Sequence, residues 1–194
     1  MSNPSLILAS ASPRRQDLLA SLGVVPHAIV PADIDETPHK GERPRPYVLR
    51  MAHEKALRVS IEHPDALTLA ADTVVACGRR ILPKAETHTQ ARECLARLSG
   101  RRHSVFTAFA LYVGEHKRSL KCIETMVQFK RLSPQEIDWY IATQEWDGKA
   151  GGYAIQGAAQ ALISQMHGSY SAVVGLPLKE VRDALLTHQC IAAE

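Results

Sequence analysis

The chain has 194 residues, 45% hydrophobic and 22% charged, which suits one soluble globular domain over residues 1–194 with a sizeable core. Its 23 basic and 20 acidic residues are interspersed, net charge is only +3 and aromatics make up 5%, which argues against a nucleic-acid partner that needs clustered charge or stacking rings. No apolar run approaches the roughly 20 residues that span a bilayer, and the N-terminus has no basic segment or long apolar stretch, so neither a membrane span nor a signal peptide is expected.

The chain opens on a short apolar run, Leu6-Ile7-Leu8-Ala9, which predicts a strand over 5–9. Ser10-Ala11-Ser12-Pro13-Arg14-Arg15 follows, and then Leu18, Leu19 and Leu22 recur at helical spacing. That order reads as a hydroxyl-rich turn and a helix over 13–22, capped by Ser12 with Pro13 at its first position. A helix start carries free N–H groups and partial positive charge, so it is an anion site to which two first-turn arginines add an unfavourable charge. A phosphate bound there offsets that cost; solvated arginines on an ordinary cap are the plainer alternative. Arg15 shares the inward stripe with Leu18, Leu19 and Leu22, where a guanidinium needs a partner.

Further strands are predicted at 27–30, 66–76, 103–113 and 120–131, and helices near 44–62, 87–99, 133–143 and 178–188. Alternating strands and helices predict an α/β fold with helices packed on a sheet. The runs 103–113 and 120–131, joined around Gly114, read as an antiparallel hairpin, so the sheet is mixed. Six of the 11 glycines fall within residues 148–175, which is either a loop-rich third of the chain or a place where backbone approaches a ligand. Cys77, Cys94, Cys122 and Cys190 are widely separated and form no metal-binding pair; they read as reduced thiols of a cytoplasmic protein.

Charges lodged in apolar patterns mark the chemistry. Lys55 shares a helical stripe with Tyr47, Val48, Met51, Ala52, Ala56 and Val59, so its ammonium either snorkels to the edge or meets a counter-charge such as phosphate. Asp72-Thr73 interrupts the run from Ala66 to Ala76, which otherwise suits an inner strand buried on both faces. A carboxylate there serves as a metal ligand, a general base or a cap at a strand-end turn. Asp33, Asp35 and Glu36 form an acidic cluster that supplies oxygen ligands to a divalent cation or merely a solvated loop. The nine histidines show no ligand spacing.

Several motifs occur in a fixed order. They are Ser10-Ala-Ser-Pro-Arg-Arg15, Glu54-Lys55-Ala56, Ala71-Asp-Thr-Val-Val75, Lys84, Ser99-Gly100, Lys149-Ala-Gly-Gly-Tyr-Ala-Ile-Gln-Gly157 and Gly168-Ser-Tyr-Ser-Ala-Val-Val-Gly-Leu-Pro177. Together they make the chain resemble the Maf family of nucleoside triphosphate pyrophosphatases over nearly its whole length. The resemblance implies a mixed twisted sheet with flanking helices, in two lobes around a deep cleft, related in shape to the inosine triphosphatase group. It implies hydrolysis of a nucleoside triphosphate to a monophosphate and pyrophosphate, a divalent cation (Mg²⁺ or Mn²⁺), a cytoplasmic location and often a homodimer.

By the same resemblance Asp72 matches the family's proton acceptor, and Ser10, Arg14, Arg15, Glu36, Lys55 and Lys84 match positions for phosphate or metal, with Glu36 and Asp72 as metal ligands. Arg14, Thr73 and Gln156 match the base-selecting positions of the dTTP/UTP subgroup, whereas the 7-methyl-GTP subgroup has an aromatic in place of Arg14. Two departures stand out: Pro83-Lys84-Ala85 replaces the commoner Gly-Lys-Pro, and Gly148 separates Asp147 from Lys149. A broader house-cleaning pyrophosphatase, or a regulator of septum formation acting by binding, are the other functions the family offers.

Overall fold

The computed structural model describes residues 5–191. The first half holds β1 (Leu6–Leu8), α1 (Pro13–Ala20), β2 (Ala28–Ile29), α2 (Pro44–Glu62), β3 (Leu67–Cys77), β4 (Arg80–Leu82), β5 (Lys84–Ala85) and α3 (His88–Leu98). The second holds β6 (Arg102–Val113), β7 (His116–Phe129), α4 (Pro134–Ala142), β8 (Lys149–Ala150), a 3₁₀ turn (Ala158–Leu162), β9 (Ile163–His167), α5 (Tyr170–Val174) and α6 (Leu178–Thr187). The predicted long elements are all present, the expected hairpin turning at Gly114 with φ +54°. Missed were the short pieces β4, β5, β8, β9 and α5, whose few residues show no periodicity to read.

Seven strands make one mixed sheet in the order β2-β1-β3-β6-β7-β9, with β4 folded back on the far end of β3. β5 and β8 form a separate ribbon. β1 runs parallel to β2 and β3, and the other pairings are antiparallel. β3 is central because its side chains are apolar on both faces. Ala70, Val74 and Ala76 pack with Val48, Met51, Ala52 and Ala56 of α2, while Leu67, Leu69 and Ala71 pack under Leu19 of α1 and Val181 and Leu185 of α6. A further core joins the ends of β6 and β7 to α3, α4 and the glycine-rich segment through Leu95, Leu98, Phe129, Tyr140 and Tyr153.

A break in the sheet creates a cleft along β3. β1 is in register with β3 only as far as Leu8 opposite Leu69, and β4 joins β3 only from Val75. Between those points β3 has no strand on that side among the described residues. Successive side chains of a strand point to opposite faces. Asp72 therefore faces α2 and Thr73 faces α1 and α5, and the open edge lets one cavity reach both.

Candidate active site

The cavity has a volume of about 610 Å³, within the range of small-ligand sites. Its charged wall comes from several segments far apart in sequence. The turn after β1 supplies Ser10, and α1 supplies Arg14 and Arg15. The loop before α2 supplies Glu36, α2 itself Lys55, and β3 Asp72. Lys84 of β5 and Lys149 of β8 close the far side, so five cations face two carboxylates.

Lys55 does not snorkel. Its Nζ sits 2.6 Å from Glu36 Oε1 and 2.7 Å from Asp72 Oδ1, with only 10% of its side chain exposed. Glu36 in turn accepts from Lys84 Nζ at 2.8 Å. Burial alone raises the Glu36 pKa, but hydrogen bonds and charge from Lys55 and Lys84 outweigh it and hold the carboxyl at about 2. Two side chains of α2 fix the loop: Tyr47 donates to the Glu36 carbonyl at 2.8 Å and Arg50 to the Thr37 carbonyl at 3.1 Å. Asp33 and Asp35 stay exposed, and Asp35 accepts the Thr37 N–H in a local turn, so Glu36 is the member of the acidic cluster that lines the cavity.

Ser12 occupies the N-cap of α1 with Pro13 behind it, but its hydroxyl makes no cap bond. Instead Ser10 Oγ accepts the Ser12 N–H at 3.3 Å and Arg15 Nη1 at 2.9 Å. The partner expected for Arg15 is therefore double, because its Nε also donates to the Gly175 carbonyl at 2.9 Å. Burial lowers the pKa of both Arg14 and Arg15; for Arg15, Asp72 and Glu36 oppose the shift and Arg14 reinforces it. Desolvated guanidiniums stay charged. An anion in the cavity is their natural complement.

The other wall is mainly apolar and is drawn largely from the stretch Gly148 to Ile155, apart from its Lys149, with Val75, Val173 and Val174. This stretch lies directly on the core. A Cβ on Gly151 would stand 2.8 Å from Val75 Cγ1, and one on Gly152 3.3 Å from the Ala91 backbone, and both glycines hold φ near +70° (+68° and +70°). Tyr153 is pinned from behind by His103 Nε2 at 2.9 Å. Burial pushes the His103 pKa from its ordinary 6.5 down to about 4.

Of the residues singled out in the sequence, Ser10, Arg14, Arg15, Glu36, Lys55, Asp72, Thr73 and Lys84 all line this cavity. Gln156 is not among its lining residues: it follows Ile155 but is exposed, and its carbonyl accepts from Gln160 Nε2. Pro83-Lys84-Ala85 forms strand β5 paired with β8, and Lys84 reaches Glu36 across the cleft. Gly148 serves the same ribbon, its N–H donating to the Ala85 carbonyl at 2.8 Å. Sequence reasoning missed Lys149, Tyr153 and, behind Thr73, the fully buried Thr107. Thr107 carries the signal that betrayed Asp72, a polar residue inside an apolar strand.

A family model described as Maf-like protein matches residues 5–188. The chain belongs to the Maf family. A curated Maf relative from Zymomonas mobilis, named dTTP/UTP pyrophosphatase, is 57% identical over 182 residues, 94% of this chain and 90% of its own. One of the same name from Caulobacter vibrioides is 54% identical over 182 residues, 94% of each chain. Among solved structures, a HAM1 protein from Coxiella burnetii aligns over 95% of this chain and 99% of its own with a TM-score of 0.51 at 14% identity, a likeness of fold.

The carboxylates of this Maf chain suit a hard divalent cation whose remaining ligands come from other oxygens. Among the described residues no group of three or more His, Cys, Asp or Glu could hold a metal alone. Glu36 and Asp72 nevertheless bring two carboxylates to one point, marked by Lys55 Nζ. Mg²⁺ is commonly held in this way, by one or two carboxylates with phosphate and water oxygens completing the octahedron.

Proposed function

We propose that the chain hydrolyses dTTP and UTP at the α/β phosphate bond, giving the monophosphate and pyrophosphate. The observation that carries this reading is the Glu36–Lys55–Asp72 cluster, at 2.6 and 2.7 Å, in a cavity where five cations face two carboxylates. Such a wall is built for a polyanion, and the names of relatives 54–57% identical supply the substrate.

In the proposed reaction, water attacks the α-phosphorus and the P–O bond to the bridging oxygen breaks. The electron pair leaves on pyrophosphate, and the water's proton passes to Asp72. Arg14, Arg15, Lys55 and Lys84 neutralise the triphosphate. Ser10, whose oxygen already accepts two hydrogen bonds, keeps its own proton to donate to a phosphate oxygen. Glu36 and Asp72 would hold a divalent cation, Mg²⁺ or Mn²⁺, which neutralises charge on the phosphates. Lys55 orders both carboxylates and would neutralise a phosphate oxygen bound beside them.

Thr73 and Gln156 select the base in this reading. One observation favours a broader nucleotide range: Gln156 is exposed outside the cavity lining, which weakens its grip on the base. A pyrophosphate-release assay across dTTP, UTP, CTP, GTP and ITP, with and without Mn²⁺, decides between the two. Turnover confined to dTTP and UTP supports the narrow reading, even turnover the broad one, and nucleotide binding without turnover favours a regulator. The same reading places the chain in the cytoplasm, with reduced Cys77, Cys94 and Cys122 in support, and takes from the family a homodimer. Among the described residues no helix is long and apolar enough to cross a membrane.

A further inference from the structure

Thr73 and Thr107 are directly opposed in the β3–β6 ladder, and their hydroxyl oxygens lie 3.0 Å apart. Thr73 reaches the cavity, while Thr107 is fully buried behind it. A hydroxyl has one proton to give and two lone pairs to receive with. The Thr107 proton has a fixed destination: Thr107 Oγ1 lies 2.6 Å from the Ala172 carbonyl, which can only accept. That carbonyl lies in α5, where the N–H groups of Gly175 and Leu176 both go to Ser171 and leave Ala172 to Thr107. The bond between the two threonines must then run from Thr73 to Thr107. With its proton spent inward, Thr73 can only accept a hydrogen bond from whatever lies in the cavity.

We infer that Thr107 is a positioning residue that sets the polarity of Thr73, so that the site takes a nucleotide presenting a hydrogen-bond donor to Thr73. This rests on the reading of the cavity as a dTTP and UTP site. Those nucleotides share two neutral donors, the imide N3–H of the base and the sugar 3′-hydroxyl. The N3–H fits the inference best, because cytosine has a lone pair at N3 and would set acceptor against acceptor. A site that must leave such groups unpaired rejects the wrong substrate strongly.

The test compares kcat/KM for dTTP, dCTP and 2′,3′-dideoxy-TTP in wild type, Thr107→Val and Thr107→Ser. Valine keeps the shape but returns the proton to Thr73; serine keeps the relay. If the base N3–H is the donor, the dTTP/dCTP ratio falls about tenfold or more in Thr107→Val and is preserved in Thr107→Ser. If the sugar hydroxyl is the donor, the dTTP/dideoxy-TTP ratio collapses in the same pattern. An even loss on all three nucleotides, with both ratios unchanged, overturns the inference and leaves Thr107 as a prop for α5. Wild type that fails to turn over dTTP overturns the functional reading itself, a different result. Should Thr107→Val not fold, Thr73→Val deletes the acceptor while Thr107 keeps its bond to Ala172, and an unchanged pair of ratios there overturns the inference equally.

Discussion

The two walls of the cleft are built on opposite plans. The charged wall gathers side chains from segments far apart in sequence, and its carboxylates are neutralised by its own lysines, with Lys55 held between Glu36 and Asp72. The apolar wall is mainly one continuous segment, packed so closely on the Val75 side chain that Gly151 has no room for a Cβ. Charge on the first wall is costly to bury and is kept only in exchange for chemistry. Shape on the second is fixed by packing. Substitutions on the first should therefore strike turnover hardest, and those on the second stability and substrate fit.

The largest effect is expected at Asp72. Asp72→Asn keeps an oxygen for Lys55 but cannot take a proton, and kcat should fall by about 10²–10⁴ with the fold intact. A folded variant with full turnover would sink the assignment. Lys55→Met comes next, because it leaves Asp72, whose side chain is only 6% exposed, buried without its counter-charge. Urea unfolding at pH 7 should show a loss of about 3–5 kcal/mol. A loss below about 1 kcal/mol would mean that the pair is screened in solution like a surface ion pair.

On the opposite wall, Gly151→Ala forces a side chain against Val75 at a positive φ and should cost on the order of 2–5 kcal/mol. If the variant still folds, KM should rise more than kcat falls; the reverse would erase the contrast between the walls. The smallest effect concerns His103, buried behind Tyr153. Folded His103 stays neutral down to about 4, whereas the unfolded chain takes up a proton near its ordinary 6.5. The unfolded state then binds more protons between those values, so stability falls as pH falls through that window and levels off below it. The group contributes roughly 2 kcal/mol of loss between pH 7 and pH 5. His103→Gln should unfold in urea with a smaller difference between the two pH values than wild type, and an equal difference would place the acid sensitivity elsewhere.

Much of the charged wall was legible in the chain because its residues violate the pattern around them. Lys55 on a stripe with Met51 and Val59, Asp72 inside an apolar strand, and Arg15 in line with Leu19 each announce a missing partner. The partners were less legible. Lys55 reads equally as a snorkelling lysine or a phosphate ligand, and its pairing with Glu36 and Asp72 appears only once the loop before α2 folds over the sheet. Ser12 reads as the cap, yet the oxygen that gathers hydrogen bonds is Ser10, because Arg15 turns back toward it.

Local pattern by itself determined the long strands and helices and marked Arg15, Lys55 and Asp72, while resemblance to a family pointed to Ser10, Glu36, Thr73 and Lys84. Periodicity and burial cost act within a few residues, and a sequence displays them directly. Tertiary structure decided the rest: where β1 stops against β3, which opens the cleft to both Asp72 and Thr73; that Lys149 and Tyr153 line it while Gln156 stands outside; and which way the proton between Thr73 and Thr107 points. Each of these depends on contacts between segments distant in sequence. Their spacing along the chain carries no trace of them, because only the closed fold brings them within reach of one another.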